Sequence, residues 1–82
     1  MQVTLLKSKW CPTCPEAERV WEEVSRQRPI EYQALDVADR AGRTLISNLR
    51  IKSVPALVVD GKLKWVGVHT LGEALKLVDE GA

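Results

Sequence analysis

At 82 residues, 45% of them apolar and 28% charged, the chain has the make-up of a small folded domain, not of a disordered segment. Its 12 basic and 11 acidic residues are intermixed and sum to a formal charge of +1, so there is no concentrated positive field and nucleic-acid binding is excluded as an expectation. Every apolar run is far shorter than the roughly 20 residues that a membrane-spanning helix needs.

A chain this short buries only about 60% of its unfolded surface, so one core and one domain over residues 1–82 are expected. Val3-Thr4-Leu5-Leu6 reads as a buried strand, closed by the polar Lys7-Ser8-Lys9. Residues 2–6 lack the apolar stretch of a cleavable leader, so a cytoplasmic location is expected. Trp10-Cys11-Pro12-Thr13-Cys14 follows and holds the chain's two cysteines. Ala17, Val20, Trp21 and Val24 then fall on one face of a helix, which Pro29 stops at Gln27 or Arg28. The charges on its other faces read as a solvated surface.

Ile30, Tyr32 and Ala34 alternate with polar residues and continue into Leu35-Asp36-Val37, giving a second strand. Asp39 is placed to cap a helix with Ala41, Leu45 and Leu49 along one face, weakened by Gly42 by about 1 kcal/mol relative to Ala. Ala56-Leu57-Val58-Val59 and Leu63-Lys64-Trp65-Val66 flank Asp60-Gly61, a hairpin signal because both central turn positions need positive φ. Thr70-Leu71-Gly72-Glu73 has the spacing of a capping box, and Leu71, Ala74, Leu75 and Val78 continue one apolar face toward Gly81 as a C′ residue. The order is β-α-β-α-β-β-α. Two parallel strands joined through a helix and a terminal hairpin make a mixed four-stranded sheet flanked by three helices.

Two cysteines three apart can close a small disulfide ring, and a helix N-terminus favours a thiolate. A helix opening at Cys11 puts Pro12 at its first position and offers the amides of Thr13 and Cys14, with the Thr13 hydroxyl, to the Cys11 sulfur. Lys7 and Lys9 add positive charge nearby. Cys11 is then the attacking residue and Cys14 the one that resolves the mixed disulfide. The alternatives are an inert buried pair or half of a metal site. A metal site needs about four ligands, and beyond the thiols the chain offers only His69 and scattered carboxylates, unless two chains share their cysteines.

This order, with Cys-Pro-Thr-Cys between the first strand and helix and Ser53-Val54-Pro55 before the hairpin, resembles the thioredoxin/glutaredoxin superfamily over essentially the whole chain. It looks most like a small glutaredoxin-sized thioredoxin. Trp10 and the Arg50-Ile51-Lys52-Ser53-Val54-Pro55 approach are thioredoxin-like, whereas Cys-Pro-x-Cys is more glutaredoxin-like. Gly67-Val68-His69-Thr70 stands where glutaredoxins carry the Gly-Gly and Asp that help to hold glutathione. The buried carboxylate that thioredoxins place on the first of these strands is replaced by Leu5-Leu6-Lys7, so a proton leaving Cys14 must use water or another group.

The resemblance implies a monomeric dithiol oxidoreductase with no bound cofactor, metal or membrane partner, reducing disulfides in other proteins. Its electron source is then a thioredoxin-reductase-like flavoprotein ahead of glutathione. It makes Pro55 a cis-proline and Val54 a substrate contact, with Trp10, Pro12 and Thr13 around the cysteines. Trp10 either shields the site or meets substrate. Trp21 is a core residue, Trp65 core or edge shielding, and His69 a surface turn residue. The rival function is a metal-binding or protein-interaction module that uses the thiols only as ligands.

Overall fold

A computed structural model describes residues 1–81. The elements run β1 (Gln2–Lys7), α1 (Cys14–Gln27), β2 (Glu31–Asp36), α2 (Arg40–Leu49), β3 (Ala56–Val59), β4 (Lys62–Val66) and α3 (Leu71–Gly81). They build one mixed sheet in the order β2-β1-β3-β4. β1 lies parallel to β2 and antiparallel to β3, and β3 pairs antiparallel with β4. This is the expected α/β architecture.

Alternation along the central strands divides the core between the two faces of the sheet. Val3, Leu5, Leu57 and Val59 point toward α1 and α3, where they meet Ala17, Trp21, Val24, Ala74 and Val78. Leu6, Ala56 and Val58 point the other way, to Ile51 and the α2 residues Leu45, Ile46 and Leu49. α1 and α3 are further tied by a two-bond pair between Arg28 and Asp79, at 2.8 and 3.2 Å. Trp65 from β4 bridges outward from this side: its ring lies 6.3 Å from buried Trp21 and stacks on His69 at 3.9 Å. His69 is thus half-covered by Trp65 and is more than a solvent-facing turn residue.

The local signals work through identifiable bonds. Asp60 (φ 50°) and Gly61 (φ 83°) both take the left-handed backbone that the hairpin requires. Thr70 and Glu73 cap α3 reciprocally, with the Glu73 amide donating to Thr70 Oγ1 (3.1 Å) and the Thr70 amide to Glu73 Oε1 (3.0 Å).

Four expectations change. α1 opens at Cys14 and not at Cys11, because Pro15 has no N–H to donate to the Cys11 carbonyl; the Ala17 amide instead bonds Thr13 O at 3.2 Å. Pro12 therefore stands before the helix, and Pro15 occupies its first turn. Asp39 holds the N-cap position of α2 without a side-chain cap, and Ala41 is exposed, its place on the packed face taken by Ile46. Gly81 ends inside α3, not beyond it.

Gly42 is the residue that lets α2 approach β2. A Cβ there would overlap the carbonyl of Asp36 and stand 3.2 Å from Val37 Cα. The propensity lost at this glycine is offset by that close backbone approach. Gly42→Ala is therefore expected to destabilise the protein by about 1–3 kcal/mol despite alanine's better helix propensity, read as a lower urea midpoint at an unchanged m-value.

Candidate functional site

The strand register brings the site together. Leu6 pairs with Ala56 in the antiparallel β1–β3 ladder, so the segment leaving β1 runs beside the segment entering β3. Cys11 and Val54, 43 residues apart in sequence, meet there: the Cys11 Sγ lies 3.6 Å from Val54 O and donates to it as a thiol. The Val54–Pro55 peptide is cis, and the Pro55 carbonyl accepts from the Gly67 amide at 2.7 Å. Gly67 (φ 98°) has the left-handed backbone suited to that turn.

The two sulfurs are not equivalent. Cys11 is half-buried in the turn closed by its own amide on Ser8 O (3.2 Å), whereas Cys14 is 1% exposed and begins the buried stripe Cys14, Ala17, Trp21, Val24 of α1. Desolvation alone would push the Cys11 thiol up. Hydrogen bonds from the Cys14 thiol, the Thr13 hydroxyl and the amides of Thr13 and Cys14 outweigh it and hold Cys11 below the ordinary thiol range. The Thr13 Oγ1 sits 3.5 Å from Sγ. Cys14 is pushed up to about 11 by burial first, then by its bond to Cys11 and the charges of Cys11 and Glu18, against a backbone bond from Ser8. The surroundings favour ionisation at Cys11 and oppose it at Cys14.

The remaining site residues fall as follows. Trp10 is 90% exposed, so it shields no sulfur and instead presents a free indole next to Cys11 in the chain. Pro12 and Thr13 are exposed on the turn between the cysteines. Lys7 does not act as free charge on Cys11. Its Nζ pairs with Glu18 Oε1 at 3.0 Å, and this bond, against partial desolvation, holds the lysine above its ordinary value. Glu18 is correspondingly not part of a fully solvated face. The pair was readable only as two separate charges in sequence, since nothing local reveals that the end of β1 lies against the second turn of α1.

The family model describing a thioredoxin domain matches residues 1–79. A thioredoxin of Methanocaldococcus jannaschii is 32% identical over 81 residues, spanning 93% of each chain. A probable thioredoxin of Archaeoglobus fulgidus is also 32% identical, over 95% of this chain and 86% of its own. The chain belongs to the thioredoxin family. Solved structures agree on the fold: a mutant thioredoxin from Halobacterium salinarum superposes with a TM-score of 0.80 at 23% identity, covering 96% of this chain and 72% of its own. Thioredoxin 1 from Thermosipho africanus gives 0.79 at 13% identity, over 99% and 93%. The family is one of thiol–disulfide oxidoreductases, and the chain carries the paired cysteines that such chemistry uses.

The asymmetry of the thiols has a direct readout. A thiol with a lowered pKa is reactive above that value and loses reactivity as pH falls through it. Iodoacetamide at about pH 7 is therefore expected to label Cys11 and spare Cys14, with the Cys11 rate falling as the pH is lowered. Thr13→Ala, which removes one bond to the sulfur, is expected to slow that labelling about fivefold, equivalent to about 1 kcal/mol. Peptide mapping that found Cys14 modified first would reverse the assignment.

Proposed function

We propose that this protein reduces disulfides in other proteins through a Cys11/Cys14 dithiol–disulfide cycle. The observation that carries this reading is the unequal pair of sulfurs at the start of α1, with Cys11 Sγ 3.6 Å from Val54 O across the site. The Cys11 thiolate attacks one sulfur of a substrate disulfide, forming a mixed disulfide and releasing the first substrate thiolate. Cys14 then attacks Cys11 Sγ, the mixed disulfide breaks, and the second substrate thiolate departs. Two electrons pass from the dithiol to the substrate, and the pair is left oxidised.

Val54 and Trp10 form the substrate-facing rim in this reading, with the cis Pro55 buried behind Val54. The exposed indole and the carbonyl beside Cys11 offer an apolar surface and a backbone partner to an extended segment. A thioredoxin-reductase-like flavoprotein is the electron donor we favour over glutathione. The Thr70 and Glu73 amides at the start of α3 are already taken by the reciprocal cap, which leaves them unavailable to a glutathione carboxylate. Such a reductase cycle belongs in the cytoplasm, where thiols are kept reduced.

The test is the reduction potential of the Cys11–Cys14 couple, equilibrated in glutathione or dithiothreitol buffers and followed by Trp10 fluorescence. A value between about −270 and −200 mV is expected for a reductant. A value near about −120 mV would make it an oxidant, and the absence of any two-electron couple would leave a thiol-ligand module as the reading. Cys11→Ser is expected to abolish disulfide turnover, whereas Cys14→Ser should still form, and then retain, the mixed disulfide.

A further inference from the structure

Cys14 must lose a proton to resolve a mixed disulfide, yet its side chain is 1% exposed. β1 offers no acceptor beside it: Leu5 and Leu6 are both apolar and buried. A cavity of about 200 Å³ is lined by both cysteines together with Lys7, Ser8, Lys9, Pro15, Glu18 and Asp36. At roughly 10–15 Å³ for each water centre, it has room for several waters, and its polar lining supplies their partners. Two carboxylates border it. Asp36 accepts the Ala38 amide at 2.8 Å, within its own turn. Glu18 stands four residues after Cys14, one turn along the same helix, and is held by Lys7 Nζ at 3.0 Å.

We infer that Glu18, positioned by Lys7, receives the Cys14 proton through water in this cavity when the mixed disulfide on Cys11 is resolved. This rests on the dithiol cycle proposed above. The Cys14 S–H proton passes to the Glu18 carboxylate, and the thiolate so formed attacks Cys11 Sγ. The Cys11–Cys14 bond forms as the bond between Cys11 and the substrate sulfur breaks. The substrate leaves as thiolate with that electron pair, and Glu18 returns its proton to solvent.

The electrostatics of the cavity favour this order of events. Burial is the main cause that keeps Cys14 protonated, followed by the hydrogen bond and the charge of Cys11 and by the charge of Glu18. Both Cys11 contributions lapse once Cys11 is bound in the mixed disulfide. Protonating Glu18 removes its negative charge from beside Cys14, leaving Asp36 as the other carboxylate of the cavity and the Lys7 ammonium facing the new Cys14 thiolate. Lys7 already responds to the charges of Glu18, Asp36 and Cys14 together. The titratable groups around Glu18 are Lys7 from β1, Lys9 and Cys11 from the turn that follows it, Tyr32 and Asp36 from β2, and Cys14 and Glu22 from its own helix. Of the two lysines, Lys7 is the one paired with Glu18.

The experiment uses dithiobis(nitrobenzoate) as the disulfide and the full chain as the reductant. Attack by Cys11 releases one coloured nitrothiobenzoate, and resolution by Cys14 releases a second. The parent is expected to show a second release that varies little between about pH 6 and pH 8, because an internal base carries the proton. In Glu18→Gln the first release should be unchanged, which also confirms that the variant is folded. Its second release should slow about 100-fold at neutral pH and rise about tenfold per pH unit, following the Cys14 thiolate fraction alone. Glu18→Asp, whose shorter carboxylate still borders the cavity, should restore the shallow profile. A Glu18→Gln profile that matched the parent, or a Glu18→Asp profile as steep as that of Glu18→Gln, would overturn the role of Glu18. A parent that released only one nitrothiobenzoate would instead overturn the dithiol cycle itself.

Discussion

The buried stripe of Cys14, Ala17, Trp21 and Val24 presses α1 onto the sheet, and everything at the candidate site takes its position from that contact. Anchoring the helix through its first residue leaves Cys14 in the core and forces the preceding residues to turn outward. The Cys11 amide on Ser8 O closes that turn, and the exposed Pro12 and Thr13 carry the chain back to the helix. Burial disfavours an ion at Cys14, whereas the free amides at the helix start and the Thr13 hydroxyl favour one at Cys11. Hydrogen bonding at one sulfur and burial at the other thus distinguish two chemically identical side chains three residues apart.

The opposite wall depends on register in the same way. Because Leu6 pairs with Ala56, any slip of β3 by one residue would invert the faces of Ala56, Leu57, Val58 and Val59. All four are buried, but they serve two different core clusters, so the register is held from both sides of the sheet. Val54 O is placed against Cys11 by that ladder, and the Gly67 amide on Pro55 O fixes the loop from behind. Packing that looks remote from the sulfurs is what holds the rim within reach of them.

Most of this was legible in the sequence where one residue type answers one geometric demand. Asp60-Gly61 announces positive φ at two successive positions, Thr70 and Glu73 announce a reciprocal cap, and Cys11 and Cys14 before an apolar helix stripe announce the site. The start of α1 was misplaced because its decisive factor is a missing donor: Pro15 cannot bond the carbonyl of Cys11. Gly42 looked like a defect because a propensity scale sees only the helix, while the reason for glycine lies on β2, at the Asp36 carbonyl. The Lys7–Glu18 pair was invisible for a related reason. Charges at the end of a strand and on a helix read as solvated until the packing angle between the two elements is known. Non-local contacts between unlike elements leave no periodic trace, and those are the features that the sequence withheld.

In the proton route proposed above, that pair serves a buried thiol without weakening the core. A carboxylate within β1, at the place of Leu5 or Leu6, would have to be desolvated, at a penalty of several kcal/mol for an ion that is not fully compensated. Placed on α1 and met by Lys7 at the strand end, the two side chains keep 26% and 33% of their exposure. An ion pair in such a position contributes only about 0–1 kcal/mol to stability. Because the fold does not depend on that charge, the proton route proposed above leaves the packing of β1 intact. The apolar strand is left to packing and the polar cavity wall to proton traffic, an arrangement that a carboxylate inside the core could not provide, since there the same titration would fall on the residues that hold the sheet together.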